Sequence, residues 1–311
     1  MKIIMRPLLF ILITLTVSAQ NKTGVLVLAH GGNENWNKTV NEAVSPLKEK
    51  YEVEVAFGMA DPNTMQEGID NLESKGVNEI VAVQLFISSY SPIIRQNEYL
   101  LGLRDELADE PMLMDHSGVN HGSHSHGSHH SNHHSAKKEK VELKPLKFNS
   151  KIYLTEPLND HPLVAEILSE RIGELSKNPE DETLILVAHG PNDEEDNTNW
   201  IAALESLADQ LRAKKDFKNI FSVTVRDDAP EEIYEMAKEN LRSLVRQSSK
   251  DGKTIVIPVL LSQGGIEKGI VERLEGLNYE WNGKTLLPHK NITEFIKQSV
   301  ENALNNKEAK L

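Results

Sequence analysis

The sequence predicts an α/β fold made of two duplicated domains, each a mostly parallel sheet flanked by helices, with a cleft between them. Three observations carry this. Apolar runs that read as buried strands alternate with amphipathic helical stretches, as in βαβ units. The opening strand and its turn are written twice, as VLVLAHGG (Val25–Gly32) and LILVAHGP (Leu184–Pro191). The remaining elements recur behind each copy in the same order, at a period of about half the chain, too long for a solenoid.

Residues 1–19 read as an export signal. Lys2 and Arg6 supply positive charge, Leu8–Val17 the apolar stretch, and Val17-Ser18-Ala19 a small-residue cleavage site. The apolar stretch is shorter than the roughly 20 residues of a membrane span. The mature chain is therefore expected to start near Gln20, in the periplasm or outside the cell, with no stable membrane span. Residues 20–111 form the first half. Strand Val25–Ala29 leads to helix Trp36–Lys50, with Val40, Val44 and Leu47 on one stripe. Strand Glu52–Phe57 and helix Asn63–Lys75 follow, the helix bracketed by Pro62 and Gly76. Strand Glu79–Ile87 and a helix through about Ala108 complete the run.

Residues 112–147 have no period. Eight of the chain's 12 histidines fall between His116 and His134, among Gly, Ser and Asn, and the segment reads as a disordered insertion. Residues 148–177 close the first half with strand Lys151–Leu154 and helix Pro162–Leu175. Residues 178–311 repeat the cycle: strand Leu184–Ala188, helix Trp200–Lys214, strand Ile220–Val225, helix Pro230–Arg246, strand Thr254–Leu261 and helix Glu267–Leu274. A short strand near Lys284–Leu287 and helix Ile292–Leu304 end the chain. Matching stretches include WNKTVNEAV with WIAALESLA, and Ala60-Asp61-Pro62 with Asp228-Ala229-Pro230.

With 311 residues the chain holds two ordinary cores. Its formal charge is −13, and the short Lys137-Lys138-Glu139-Lys140 run is its only dense basic stretch. That argues against nucleic acid as a partner, while helix N-termini still suit an anionic small molecule. There is no cysteine, which excludes disulfides and thiolate metal sites. G-x-S-x-G, P-loop, dinucleotide-fingerprint and H-E-x-x-H patterns are missing, so no organic cofactor is expected.

His30 and His189 stand where a strand hands over to a loop, the edge at which open parallel sheets bind ligands. In the second half the third strand delivers Ser262-Gln263-Gly264-Gly265-Ile266-Glu267 to the same edge. Neighbouring strands lie about 5 Å apart, so His189 and Glu267 can converge on one ion. Imidazole and carboxylate suit divalent iron, cobalt, nickel or zinc. The matching first-half loop, Ser88-Ser89-Tyr90-Ser91-Pro92, offers hydroxyls. The principal site is therefore expected in the second half, with His30 in support. His161 and His289 precede helices and read as caps, Trp36 and Trp200 as packing residues, and Asp193-Glu194-Glu195-Asp196 as a solvated loop. The clustered His116, His121, His124, His126, His129, His130, His133 and His134 read as a metal-binding segment of low selectivity, able to feed or buffer metal.

The repeated strand with Ala-His-Gly resembles the class II tetrapyrrole chelatases, above all the sirohydrochlorin cobaltochelatases and ferrochelatases. EPLNDHPLVAEILSERI (Glu156–Ile172) is similar to that family's segment joining the halves. The resemblance spans about residues 24–102 and 151–304, and long forms of the family also carry His-rich stretches. It implies a chelatase-like two-domain fold and a lyase that inserts Co²⁺ or Fe²⁺, with Ni²⁺ also acceptable, into a sirohydrochlorin-type macrocycle of cobalamin or siroheme synthesis. His30 and His189 match the family's first metal-site histidine in each half. The family's second histidine, in the third-strand loop, is absent here, its places held by the Ser91-Pro92 region and Ile266. Gly265-Ile266-Glu267 resembles the His-Ile-Glu of protoporphyrin ferrochelatases, whose Glu is functional. The implied roles are His189 as ligand or proton acceptor, Glu267 as its partner, and His30 as second ligand or base. Arg226 or Arg95 is placed to meet substrate carboxylates. The alternative reading is an exported, non-catalytic metal- or tetrapyrrole-binding protein on the same fold.

Overall fold

The computed structural model describes residues 21–107, 111 and 143–308. In order these are β1 (Thr23–Ala29), α1 (Glu34–Val44), β2 (Glu52–Phe57), α2 (Pro62–Ser74), β3 (Glu79–Leu85), α3 (Pro92–Leu100), β4 (Lys151–Leu154) and α4 (Pro162–Gly173). The second half supplies β5 (Glu182–Ala188), α5 (Glu194–Arg212), β6 (Asn219–Thr224), α6 (Glu231–Asp251), β7 (Lys253–Pro258), α7 (Ile266–Arg273) and α8 (Lys290–Glu308). The strands form two sheets, ordered β2-β1-β3-β4 and β6-β5-β7, and every pairing is parallel. Ala29 lies opposite Phe57 and Leu85, and Ala188 opposite Thr224, so neighbouring strands end level at their carboxyl edges.

The central strands β1 and β5 are apolar from Val25 to Ala29 and from Leu184 to Ala188 because both of their faces are covered. Alternate residues go to different cores. Val25, Val27 and Ala29 of β1 join Leu184, Leu186 and Ala188 of β5 in one cluster that runs through both halves. Leu26 and Leu28 face outward onto Met65, Ile69 and Leu72 of α2. Ile185 and Val187 face Leu241 and Val245 of α6. Each such fully buried side chain contributes about 1.5–3 kcal/mol, so the three layers hold without cross-links.

The closing helices interlock the halves. Helix α4 packs on α5 and β7, whereas α8 packs on β3 and α1. Thr293 of α8 donates to the Ala43 carbonyl of α1 at 2.8 Å. His161 and His289 cap these helices as expected: the Nδ1 of each accepts from the backbone N–H two residues on, Leu163 at 3.2 Å and Asn291 at 3.1 Å. Burial holds the pKa of His161 below the ordinary imidazole value, against the pull of Asp160 and Glu166, which suits an acceptor.

Several elements differ from the sequence expectation. Helix α1 stops at Val44 and continues to Glu49 as a 3-10 turn, because Pro46 has no N–H for the α-helical ladder. Helix α3 stops at Leu100, well short of Ala108: Gly102 turns left-handed at φ +70°, and Leu103 N–H closes on the Glu98 carbonyl at 2.8 Å. No strand forms at Lys284–Leu287. The chain instead meets β7 in a single bridge, Ile255 to Glu280, and turns out at Gly283 (φ +66°). Helix α5 begins at Glu194, so the acidic run is not a solvated loop. Asp193 accepts from Asp196 N–H at 2.9 Å as the N-cap, and the carboxylates behind it suit the positive end of the helix. The export signal and the eight clustered histidines lie outside the described residues. Among the described residues no helix is long and apolar enough to cross a membrane.

Candidate functional site

Both Ala-His-Gly turns are set by their glycines. Gly31 and Gly190 adopt φ +79° and +76°, which side chains with a Cβ disfavour. A Cβ on Gly190 would also lie 2.4 Å from that of Thr224. The strand therefore turns directly after its histidine and leaves that histidine on the sheet edge. His30 is exposed, its ring 6.4 Å from that of Trp36. Its Nδ1 lies 2.8 Å from the Gly31 carbonyl. A ring nitrogen facing a carbonyl carries the proton, so Nε2 keeps its lone pair for a ligand.

His189 is partly buried, and its Nε2 lies 3.2 Å from Oδ2 of Asp228, in the loop between β6 and α6. Arg226, at φ +49°, fixes the turn after His189. Its N–H donates to the His189 carbonyl at 2.6 Å, and its guanidinium donates to Pro191 O at 3.0 Å, to Glu194 at 2.6 Å and to Asn192 O. Those donors are used within the protein. Arg95 is likewise held, in a bidentate pair with Asp196 at 3.0 and 2.8 Å. Neither arginine stands ready for a substrate carboxylate, contrary to expectation.

Glu267 lies in the first turn of α7. Its Oε2 accepts from Gly264 N–H at 3.0 Å, while Oε1 is buried with no hydrogen-bond partner among the described residues. Burial raises its pKa above the usual carboxylate range, although the N–H groups of Gly264 and Glu267 itself pull the other way. The loop holding it rests on the first half: Ser262 and Thr39 hydroxyls meet at 2.8 Å, and an ideal Cβ on Gly264 would lie 3.9 Å from Trp36 Cδ1. Trp36 thus neighbours both His30 and the Glu267 loop. The junction is reciprocal, since Trp200 Nε1 donates to the Tyr90 carbonyl at 2.5 Å. Both tryptophans are buried, as their reading as packing residues requires.

His189 and Glu267 therefore leave neighbouring strands at one edge but hold separate partners, Asp228 and Gly264. Among the described residues no three His, Asp or Glu side chains are gathered as a ready-made ion site. His30 is exposed at this edge, and a shallow depression of about 460 Å³ at the start of α1 is lined by Asn33, Glu34, Asn35 and Lys38. Asp228 is the residue that sequence reasoning missed. Its signal was the repeat of Ala60-Asp61-Pro62 as Asp228-Ala229-Pro230, read as a fold marker only.

Residues 24–91 match the model of the CbiX family. No curated protein matches the chain by sequence. Among solved structures, SirB from Bacillus subtilis with Fe³⁺ superposes with a TM-score of 0.59 at 13% identity, covering 93% of this chain and 98% of SirB. The cobalt complex of the sirohydrochlorin chelatase SirB from Bacillus subtilis subspecies spizizenii gives 0.60 at 13% identity, covering 93% and 97%. CbiX, described as the terminal enzyme for biosynthesis of siroheme in denitrifying bacteria, gives 0.55 at 14% identity, covering 90% and 99%. The chain shares the fold of these proteins over 90–93% of its length, and residues 24–91 within its first half match the CbiX family model.

Proposed function

We propose that this protein is a tetrapyrrole metal chelatase that inserts Co²⁺ or Fe²⁺ into a sirohydrochlorin-type macrocycle. The observation that carries the proposal is Glu267. Its carboxyl sits half-buried at the carboxyl edge of the sheet with one oxygen unpartnered. A carboxylate with a raised pKa is a stronger base, suited to accept a pyrrole proton near neutral pH. The CbiX match and the SirB and CbiX folds support the substrate class.

Three physical requirements define the roles. The incoming ion must shed water, for which the exposed His30 offers Nε2 and the partly buried His189 a second imidazole. Two pyrrole protons must leave, with Glu267 or a neutral histidine as acceptor. The macrocycle must bend to present its nitrogen lone pairs, and the junction of the two halves, with Trp36 beside His30 and the Glu267 loop, supplies a wall against which it can be held. Asp228 orients His189 through the 3.2 Å contact with its Nε2. Purified protein given Co²⁺ or Fe²⁺ with sirohydrochlorin should speed the change in the macrocycle's absorbance spectrum. A rate equal to the uncatalysed one would overturn the proposal.

The second reading, a carrier that binds without turnover, draws on His189, which already faces an acid, and on third-strand loops without a second imidazole. Tight macrocycle binding with no metallation would select it. Export through residues 1–19 and metal capture by the segment His116–His134 belong to the same proposal, on sequence alone. The mass of the secreted protein should correspond to a start near Gln20. Deleting residues 112–140 should lower metal stoichiometry without unfolding the protein.

A further inference from the structure

The second half buries a guanidinium that the chemistry above does not use. Arg273, at the end of α7, is 2% exposed. It donates to the Val225 carbonyl at 2.8 Å and to Asp227 Oδ1 at 2.6 Å, and lies over the Tyr234 ring at 4.1 Å. Its own carbonyl accepts from Arg242. Burying this charge is expensive, and an apolar residue would pack the helix as well. What the guanidinium adds is a fixed distance between α7 and the loop 225–228. That helix carries Glu267 in its first turn, and that loop carries Asp228, which faces His189. Asp227 lies against the helix itself, its Oδ1 being 3.5 Å from an ideal Cβ on Gly269.

The first half offers a comparison. There Gln96 of α3 donates to the Ala60 carbonyl at 2.9 Å, so the third helix again pins the loop after the second strand. The pin is a neutral amide, and His30 Nδ1 faces the Gly31 carbonyl, with no carboxylate against it among the described residues. The charged pin occurs in the half whose loop presents a carboxylate to the histidine.

We infer that Arg273 is a positioning residue: it ties the helix that carries Glu267 to the loop that carries Asp228, and so holds Glu267 and His189 in register at the sheet edge. The inference rests on the chelatase reading for its effect on rate, but not for its effect on geometry. The test uses full-length R273M, R273K and D227N, with V245A as a variant destabilised elsewhere in the same core. In R273M the His189 ring signals in ¹H–¹⁵N NMR should shift, and kcat should fall about tenfold with KM within twofold. R273K, which can still reach Asp227, should recover part of both; V245A should move neither. Should R273M fail to fold, D227N reads the same link from its other end. Unchanged His189 signals in R273M and D227N, or signals that move equally in V245A, would overturn the inference. If the wild type has no chelatase activity, the NMR result still decides it, and only the chelatase proposal falls.

Discussion

Arg95 of α3 and Asp196 of α5 form a bidentate pair, at 3.0 and 2.8 Å, that joins the two halves beside the open edge of the sheets. Their side chains are 20% and 11% exposed, so the pair is largely desolvated. It belongs to the same junction as the Trp200–Tyr90 hydrogen bond and the Thr39–Ser262 contact. The proposed site is thus a property of both halves: each third-strand loop is braced by the first helix of the other half.

Removing one partner of this pair should be costly. R95M leaves the Asp196 carboxylate mostly buried without its cation, and should lower the unfolding free energy by about 2–4 kcal/mol. The exposed Lys38–Glu42 pair is the control, because surface ion pairs contribute about 0–1 kcal/mol. Urea unfolding of R95M and K38A makes the comparison. Equal midpoints would show that the Arg95 pair does not join the halves.

Glu267 gives a pH prediction. Its folded pKa is raised, chiefly by burial. The protonated form is therefore favoured in the fold. The group's contribution is fully present below the ordinary Glu value, about 4.3, and is lost as pH rises through the folded value. E267Q stays neutral at every pH. It should melt higher than the wild type near neutrality, with the gap closing towards about pH 4. The same variant should turn over more slowly, as expected where a site holds a destabilising group for its chemistry. A melting difference independent of pH would contradict this account of Glu267.

The glycines of the repeated turn test the geometry of the edge. Gly190 and Gly76 both have positive φ, +76° and +80°. Only Gly190 is crowded: a Cβ there meets Thr224, while nothing lies within 4 Å of one on Gly76. G76A should cost about 1–2 kcal/mol, the strain of the left-handed conformation alone. G190A should cost about 2–4 kcal/mol, since overpacking adds to that strain. It should also move the His189 ring signals. Equal costs for the two variants would mean that the turn tolerates a side chain beside Thr224.

The elements just discussed show which parts of the molecule local sequence reveals. Val25–Ala29 and Leu184–Ala188 were legible because a strand covered on both faces must be apolar at every position. His30 and His189 were legible because a left-handed turn requires the glycine that follows each. Asp228 was not. Its role depends on a loop that lies beside His189 only after β6 pairs with β5, and no local pattern encodes that pairing. Asp193–Asp196 misled for a related reason. Four acids in a row suit a solvated loop or a helix N-terminus equally, and the Arg95 and Arg226 guanidiniums that engage Asp196 and Glu194 come from distant segments. The end of α3 turns on Gly102, whose left-handed conformation stops the helix short of Ala108.

The last prediction concerns whether His30, His189 and Glu267 serve one ion. His189 faces Asp228, whereas His30 shares Trp36 with the loop that carries Glu267. H189A should lower kcat/KM by about 10²–10⁴, the range of a lost acid–base group, and H30A by about tenfold less. D228N keeps an oxygen that can accept from Nε2–H but replaces the carboxylate with a weaker, neutral acceptor that orients the ring less firmly, so its loss should lie between these. The double variant H189A/E267Q is the decisive measurement. Groups that act as a unit give losses far smaller than the product of the single effects. If the three share one ion, H189A/E267Q and H30A/E267Q should both be strongly non-additive. If only H30A/E267Q is, the working site lies across the junction at Trp36, and the Asp228-held His189 is a separate binding group. Losses that multiply in both pairs would mean that no common site exists at this edge.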